Sequence, residues 1–481
     1  PAGARLRYTL LPPGGEEAIA RGGVPLAEGP VTIRWQGRVE TWAVDRPRLY
    51  RLATELVDGE GHLLDRVVTP LGFRRLEADG PRLLLNGEPL SVRGFLTWGM
   101  SAPLLAPVPR PEAFRRRLRY FRSCGFNLVK FCLWLPPAPY LEICDEEGML
   151  AWVEYPTWHP KIDQAHRAEL LREYDEFSAH DRNHPAAVLR SITCETGPSA
   201  DLAVLTEIYE LLKEKAPGTL VEDDSSWIGW NRVHDFWDDH SYGNNRSWRE
   251  KLRSLQGHRV ENGMKPLLLG EAIAADTWPD SRPLQGHCLR GRPWWAPRWL
   301  ADQVRFEREV AERWDGPGFK AVADLHRTSL AYALAMRRWQ LETYRTQMPH
   351  AGYVVSVVRD VNLCAMGLLD YFGRPKWRPA DWAWHGREMA ALLTPGDCRA
   401  FPGGKSTPAQ VAFCGPAGVE ERRELSISPG PAERPTPFTV TAPAGRPPAR
   451  WRAWALPPPP PVPPGMVLYG EEKGGPLARL F

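Results

Sequence analysis

Two glutamates in this chain each close a buried-looking apolar run. Glu195 ends "AAVLRSITCE" and is followed by Thr-Gly-Pro; Glu271 ends "KPLLLGE" and is followed by Ala-Ile. Further acids stand at the ends of similar runs: Glu154, Asp223, Asp224, Asp238, Asp239 and Asp360. Several carboxylates gathered at one rim suit chemistry at a glycosidic bond. One carboxyl group, protonated, assists the leaving oxygen; a second, ionised, attacks or activates water. A gap of about 5 Å between the two implies retention through a covalent intermediate, and one of roughly 6.5–9.5 Å implies inversion. A single strand-end acid is more often structural. Two glutamates, each followed by a small residue, shift that balance.

Such acids need strands to carry them to one mouth, and the chain supplies a strand–helix rhythm from about residue 90. "LSVRGF" reads as a strand. "PEAFRRRLRYFRSCG" reads as a helix, with Pro111 at its start and Gly125 at its end. "NLVKFCLW" has almost no polar alternation, as a strand buried on both faces requires. "PAPYLEICDEEG" is a helix closed by Gly148, and "MLAWVEY", "AAVLRSITCE", "TLVEDDSS", "VHDFWDDHSY", "KPLLLGEA" and "GYVVSVVRD" are the later strands. "ADLAVLTEIYELLKEKAPG" and "LAYALAMRRWQLETYRTQ" are helices between them. Eight strands in βα alternation over about 300 residues predict an α/β fold, a (β/α)8 TIM barrel. A doubly wound sheet also alternates, but no glycine-rich phosphate turn follows the first strand. In a barrel, strands four and seven lie roughly opposite, so Glu195 and Glu271 would face each other across the opening.

The flanks differ in rhythm. Residues 1–74 break into short pieces ("ARLRYTL", "VTIRWQG", "RLYRLATELVD", "RVVTPLGF") divided by Pro and Gly, which predicts a β-sandwich. Residues 75–395 form the predicted barrel. Residues 396–481 read as a small Pro-rich β region, with "STPAQVAF", "RELSISPG" and "PFTVTAP" as strands and "LPPPPPVPPG" as a stiff tract.

The bulk numbers exclude several classes. A chain of 481 residues, 43% hydrophobic and 25% charged, is that of a globular protein of several domains. The net charge of +3 is small, and the arginines of "FRRRLRYFR" fall on the solvated face of an amphipathic helix whose other face carries Phe114, Leu118 and Phe121. Nucleic acid is not an expected partner. No run of eighteen apolar residues exists, so no membrane partner is expected. Eight cysteines lie without a CxxC pair, and there is no HExxH, so neither a metal nor another cofactor is expected. The chain begins at Pro1, so the native N-terminus is expected upstream and export stays open. A homo-oligomer is also left open. Twenty-one tryptophans suit a carbohydrate partner, because a pyranose face stacks on an indole, although any one tryptophan is more often core.

"PRLYRLATELVDGEG", "GFRRLEADGPRLLLNGEPLSVRG", "CGFNLVKF" and "CDEEGMLAWVEYP" resemble glycoside hydrolase family 2, which includes β-galactosidases, β-glucuronidases and β-mannosidases. "HDRNHPAAVLRSITCE" is similar to the family's strand-four motif, "KPLLLGEA" to its strand-seven motif, and "GYVVSVVRDVNLCAMGLLDYFGRPK" to its closing segment. The likeness runs in order from about residue 40 to 380.

It implies an immunoglobulin-like fold for the first sandwich, and a retaining exo-β-glycosidase with Glu195 as acid/base and Glu271 as nucleophile. It also implies that Tyr242, in "DDHSYGN", hydrogen-bonds the nucleophile, with His240 of the same stretch in the pocket. Glu195 is then expected to be held protonated.

The chain departs from the family at three places. Cys194 stands where an Asn usually binds the sugar 2-hydroxyl, and a thiol is a poor donor and acceptor. Lys130 stands where Arg is common and loses the forked geometry. Strand eight lacks the usual Trp. Asn183 and His184 are expected to hold the loop before strand four. Trp158 and His159, after strand three, fall where barrel loops meet ligand, and Trp227, Trp230 and Trp237 are further stacking candidates. Trp294 and Trp295 lie in an insertion after strand seven. The departures motivate a second reading, a non-catalytic carbohydrate-binding protein on the same scaffold; an inverting or endo-acting relative is a third.

Overall fold

The computed structural model describes residues 3–26, 29–101, 106, 110–242, 247–282, 293–296, 298–313, 322–348, 351–361, 364–397, 399–443 and 448–458. Its centre is a sheet of eight strands: Val92–Thr97, Leu128–Phe131, Leu150–Glu154, Ala187–Cys194, Leu220–Ser225, Trp237–Asp238, Leu267–Ala272 and Gly352–Val355. Neighbouring strands pair in parallel, and the first pairs with the eighth. The fold is therefore the α/β barrel expected from the alternation, preceded by antiparallel sheets and followed by two further sheets, one of them mixed.

Both faces of these strands are covered, which is why their sequences lack polar alternation: Leu128–Phe131 and Ala187–Cys194 are buried at every position. The helix Pro111–Ser123 lays Phe114, Leu118 and Phe121 against the barrel, one turn apart, and exposes Arg116 and Arg119, while Arg115, Arg117 and Arg122 are half-buried. It stops at Gly125, whose φ of 88° favours glycine and where a Cβ would come within 2.1 Å of the His385 carbonyl oxygen.

The ring closes between strands five and six by means other than a ladder. Strand six is only two residues long, whereas the sequence predicted one over Val233–Tyr242. The surrounding groups explain the brevity. Asp235 N–H bonds the Val221 carbonyl while the Asp235 side chain accepts from Val221 N–H, and Asn231 Oδ1 accepts from Asp238 N–H. Side chains thus take the bonds that a longer strand would make. Past Asp238, His240 N–H donates to the Ser226 carbonyl at 2.7 Å, fixing the segment that carries His240 and Tyr242.

Ahead of the barrel stands a four-stranded antiparallel sheet in the order Ala20–Pro25, Arg5–Leu11, Tyr50–Val57, Leu63–Leu71, then a three-stranded meander over Leu76–Leu90. "VTIRWQG" was expected as a strand and is irregular, while Ala20–Pro25 was not expected and pairs with Arg5–Leu11. Three glycine and proline residues in Ala20–Pro25 hid it. A second compact unit takes in Ala390–Phe413 and the chain from Glu420 on. There, two three-stranded sheets enclose Leu392, Phe401, Val411, Phe413, Val440 and Trp451. Its strand Arg450–Leu456 buries Trp451, Ala453 and Ala455 in alternation, a period-2 pattern that the sequence reading passed over. The polyproline tract lies outside the described residues from 459 onward.

Candidate active site

Glu195 follows directly on strand four, and it adopts a left-handed backbone (φ 50°) that a side chain other than glycine takes up only when its surroundings impose it. Here the imposing groups are on strand five. Glu195 N–H donates to the Ser225 carbonyl at 3.1 Å. The Asp224 carboxylate accepts from Thr196 N–H (2.9 Å), Gly197 N–H (3.0 Å), Thr193 Oγ1 (2.9 Å) and Ser226 Oγ (2.8 Å). The turn aims the Glu195 carboxylate at two donors, Trp158 Nε1 at 3.3 Å and His240 Nδ1 at 3.0 Å. The His240 hydrogen bond, helped by its charge and by Trp158, outweighs burial and holds Glu195 below the usual carboxylate range. Against the expectation of a protonated Glu195, the imidazole at contact distance favours the ionised carboxylate in the resting site.

Glu271 is carried by strand seven and is buried. The residue before it must be small: Gly270 N–H donates to Asp238 Oδ1 at 2.7 Å, and a Cβ there would meet that oxygen at 2.4 Å. Glu271 Oε2 accepts from the Tyr242 hydroxyl, and Oε1 accepts from the Cys132 thiol at 3.4 Å. Burial and then the charge of Glu271 push the Tyr242 phenol upward, so it keeps its proton and remains a donor. Cys132 Sγ in turn accepts from Trp98 Nε1 at 3.0 Å.

One imidazole joins the two carboxylates. His240 faces Glu195 with Nδ1, and its Nε2 lies 3.1 Å from Ser225 Oγ and 3.7 Å from Asp238 Oδ2. Burial disfavours its charge, but Glu271, the Glu195 hydrogen bond and Asp238 more than offset that and raise it to about 9. Below it runs a column of buried polar groups. Lys130 Nζ donates to Ser225 Oγ (2.7 Å), pairs with Glu154 Oε2 (2.7 Å) and lies 4.5 Å above the Trp152 ring. Ser225 accepts from Lys130 and His240 and donates to Asp238 Oδ2 at 2.7 Å, which uses its full hydrogen-bonding capacity. Burial pushes Glu154 up, but the Lys130 ammonium, with Cys132 beside it, more than offsets that and holds it low. Glu222, one level down, accepts from Ser191 Oγ at 2.6 Å and is pushed well up by burial and by Asp238.

The residues singled out in the sequence thus fall into groups. Glu195, Glu271, Tyr242, His240 and Cys194 converge: one His240 nitrogen, Cys194 Sγ and a Glu271 oxygen lie within 4.8 Å of one another. Trp158 stands 59% exposed over Glu195, with His159 beside it at 5.0 Å between rings. Lys130 is fully buried, bonded to Ser225 and paired with Glu154. Trp227 is exposed near His240, ring to ring 6.1 Å, and packs on Trp230. Trp237 is a core residue instead, its Nε1 bonded to the Gly263 carbonyl. Of the insertion tryptophans, Trp294 is exposed and Trp295 packs on Phe372. Asp239 pairs with Lys251 and Asp360 with Lys376, so both are structural. His184 bonds Asp145 at 2.6 Å and so holds the approach to strand four, as expected. Cys132, Ser225 and Trp98 were missed. The signal for Cys132 was present: it stands two residues after Lys130, hence on the same face of strand two.

No established family profile matches the chain. A β-galactosidase of Pectobacterium atrosepticum is 30% identical over 189 residues, 37% of this chain and 18% of that protein. A β-galactosidase of Bacteroides ovatus is 31% identical over 161 residues, 32% of this chain and 19% of that protein. The matched stretch thus spans less than a fifth of either relative. The crystal structure of a Bacteroides uniformis β-glucuronidase superposes with a TM-score of 0.60 at 16% identity, covering 95% of this chain and 57% of that one; this is a likeness of fold.

Proposed function

We propose that this chain, similar over part of its length to β-galactosidases and in fold to a β-glucuronidase, is a glycoside hydrolase of family 2 that hydrolyses a terminal β-linked sugar by a retaining mechanism, with Glu271 as nucleophile and Glu195 as acid/base. The observation that carries this reading is the single imidazole of His240 that touches Glu195 and lies at the floor beside Glu271. Glu271 is oriented by two donors, Tyr242 and Cys132, which leave it an acceptor-lined face toward the pocket. Its oxygen attacks the anomeric carbon as the glycosidic bond breaks, and the departing oxygen takes a proton from Glu195. That proton comes from His240 Nδ1, 3.0 Å away, once a bound sugar has covered Glu195 and removed the water that stabilises its charge. In the second step Glu195 accepts a proton from the attacking water, and the ester to Glu271 breaks. Exposed Trp158, over Glu195, offers its indole to the leaving group. The exo mode rests on the family order of motifs.

The test is turnover of a panel of nitrophenyl β-glycosides, galactoside and glucuronide included, by the wild type and by Glu271→Gln and Glu195→Ala. Glu271→Gln should lose activity on every member. Glu195→Ala should lose it most on substrates with poor leaving groups, which need the acid. NMR of the first-formed anomer should show the β form. Equal rates in all three proteins, or an α product, would overturn the proposal.

A further inference from the structure

The mechanism above makes no use of the Cys194 thiol, although it sits at the floor of the site, 3% exposed. Three potential ligand atoms converge there from three different strands or strand ends: Cys194 Sγ, a ring nitrogen of His240 and a carboxylate oxygen of Glu271, all within 4.8 Å of one another. Thiolate, imidazole and carboxylate are together the donor set of tetrahedral Zn2+ or Co2+, with bonds of about 2.0–2.3 Å and a fourth position open to water. Ligand atoms of such a site lie roughly 3–4 Å apart by that geometry, so small side-chain shifts would close it.

A second set, Cys132, Glu154 and Glu271, is equally compact. It already holds a cation: the Lys130 ammonium lies 2.7 Å from Glu154, and Trp98 donates to Cys132. On the Cys194 side no ammonium intervenes and no hydrogen bond to the thiol occurs among the described residues; the positive charge there is that of His240, whose Nδ1 bonds Glu195 and whose Nε2 lies 3.1 Å from Ser225 Oγ, so an ion must take the place of one of these partners. Linear spacing gave no sign of either set, because their members are far apart in the chain.

We propose that Cys194, His240 and Glu271 form a binding site for a thiophilic divalent cation, Zn2+ above all, and that the bound ion withholds Glu271 from reaction. On binding, the ion displaces the thiol proton of Cys194 and the proton on the ligating nitrogen of His240 to solvent; no oxidation is involved. The ion site stands on geometry alone, while the loss of turnover rests on the glycosidase reading.

The full chain, stripped with a chelator, is titrated with Co2+. One equivalent should produce a thiolate-to-cobalt charge-transfer band and the intense visible bands of a tetrahedral site, both lost in Cys194→Ser and kept in Cys132→Ser. Competition against a chromophoric chelator should weaken Zn2+ binding in Cys194→Ser by more than the roughly 10–100-fold that loss of an outer-layer group costs. If Cys194→Ser fails to fold, cadmium-113 NMR of the wild type reports sulfur ligation without any variant. Zn2+ should also abolish glycoside turnover competitively, with recovery on chelation. Absence of the thiolate band and of a sulfur-ligated cadmium signal, or equal Zn2+ affinity in Cys194→Ser, would overturn the proposal. Cobalt bound through sulfur in a protein without glycosidase activity leaves the ion site and removes the glycosidase reading; turnover indifferent to Zn2+ and no band does the reverse.

Discussion

Tyr242 is the residue through which the Glu271 carboxylate can be tested without removing it. Its hydroxyl donates to Oε2 of Glu271, and the ring is partly exposed, so Tyr242→Phe deletes one charge-assisted hydrogen bond and little packing. Such bonds are worth about 1.5–3 kcal/mol, which corresponds to roughly 10–150-fold in rate. We expect kcat/KM on nitrophenyl glycosides to fall by that factor while the melting temperature stays unchanged; an unaltered kcat/KM would show that Tyr242 does not orient Glu271. At this scale Glu195, Glu271 and Tyr242 could be read from the sequence, because each ends a recognisable run or motif. The electrostatic state of Glu195 could not. It depends on His240, 45 positions further along, and on a contact of 3.0 Å that only the closed barrel creates. Ser225 is similar: its weight comes from Lys130, 95 positions away in the chain and across the barrel interior.

At the scale of elements, strands six and seven are coupled through one glycine. A methyl group at Gly270 would lie 2.4 and 2.5 Å from the two Asp238 oxygens, displacing a carboxylate that bonds Gly270 N–H and Ser225 Oγ. The backbone at Gly270 has no positive φ, so the cost is one of contact rather than conformation. Overpacking of this kind costs about 1–3 kcal/mol, and a buried carboxylate stripped of partners adds to it. Gly270→Ala should therefore lower the unfolding free energy by about 1–3 kcal/mol or more, seen as a lower urea midpoint. Adding Asp238→Ala should recover part of the loss, because the two changes share one contact. Additive losses in the double variant would refute the coupling. The βα rhythm that predicted eight strands was legible because runs such as Leu150–Val153 and Leu267–Leu269 are wholly apolar. Strand six is predicted too long because Val233, Phe236, Trp237 and Tyr242 are β-prone and mask the three aspartates among them; side-chain bonds from Asn231 and Asp235 interrupt it, and periodicity does not register those.

Across the whole molecule, three buried histidines set opposite pH limits. Burial drives His385 and His234 from the ordinary 6.5 down to about 3. His385 is built as a neutral ring, its Nδ1 on the Cys124 carbonyl at 2.6 Å and its Nε2 2.7 Å from the Tyr353 hydroxyl. Below pH 6.5 the unfolded chain takes up a proton at each of these sites that the folded chain refuses, so stability is complete above 6.5 and falls as pH drops toward 3. The slope is at most about 1.4 kcal/mol per pH unit for each histidine. His240 works the other way. Raised to about 9, it contributes stability that is fully present below 6.5 and is lost as pH climbs through 9. Asp223 and Asp238, both raised by burial to about 6, partly mask the acid limb, since they gain protons on folding between about 6 and 3.8. A single wild-type profile therefore mixes opposing slopes, and the variants must separate them. His385→Gln should be less stable at pH 7 yet flatter than wild type between pH 6.5 and 4.5, as followed by urea unfolding. His240→Gln should flatten the alkaline limb between pH 7 and 9; because it also removes the charge that lowers Glu195 and Asp238, its acid limb moves as well, and the acid limb is read in His385→Gln. Parallel profiles in wild type and His385→Gln would mean that the ring at the base of strand eight is not neutral when folded, and the hydrogen-bond roles assigned to Cys124 and Tyr353 would have to be exchanged for those of an imidazolium.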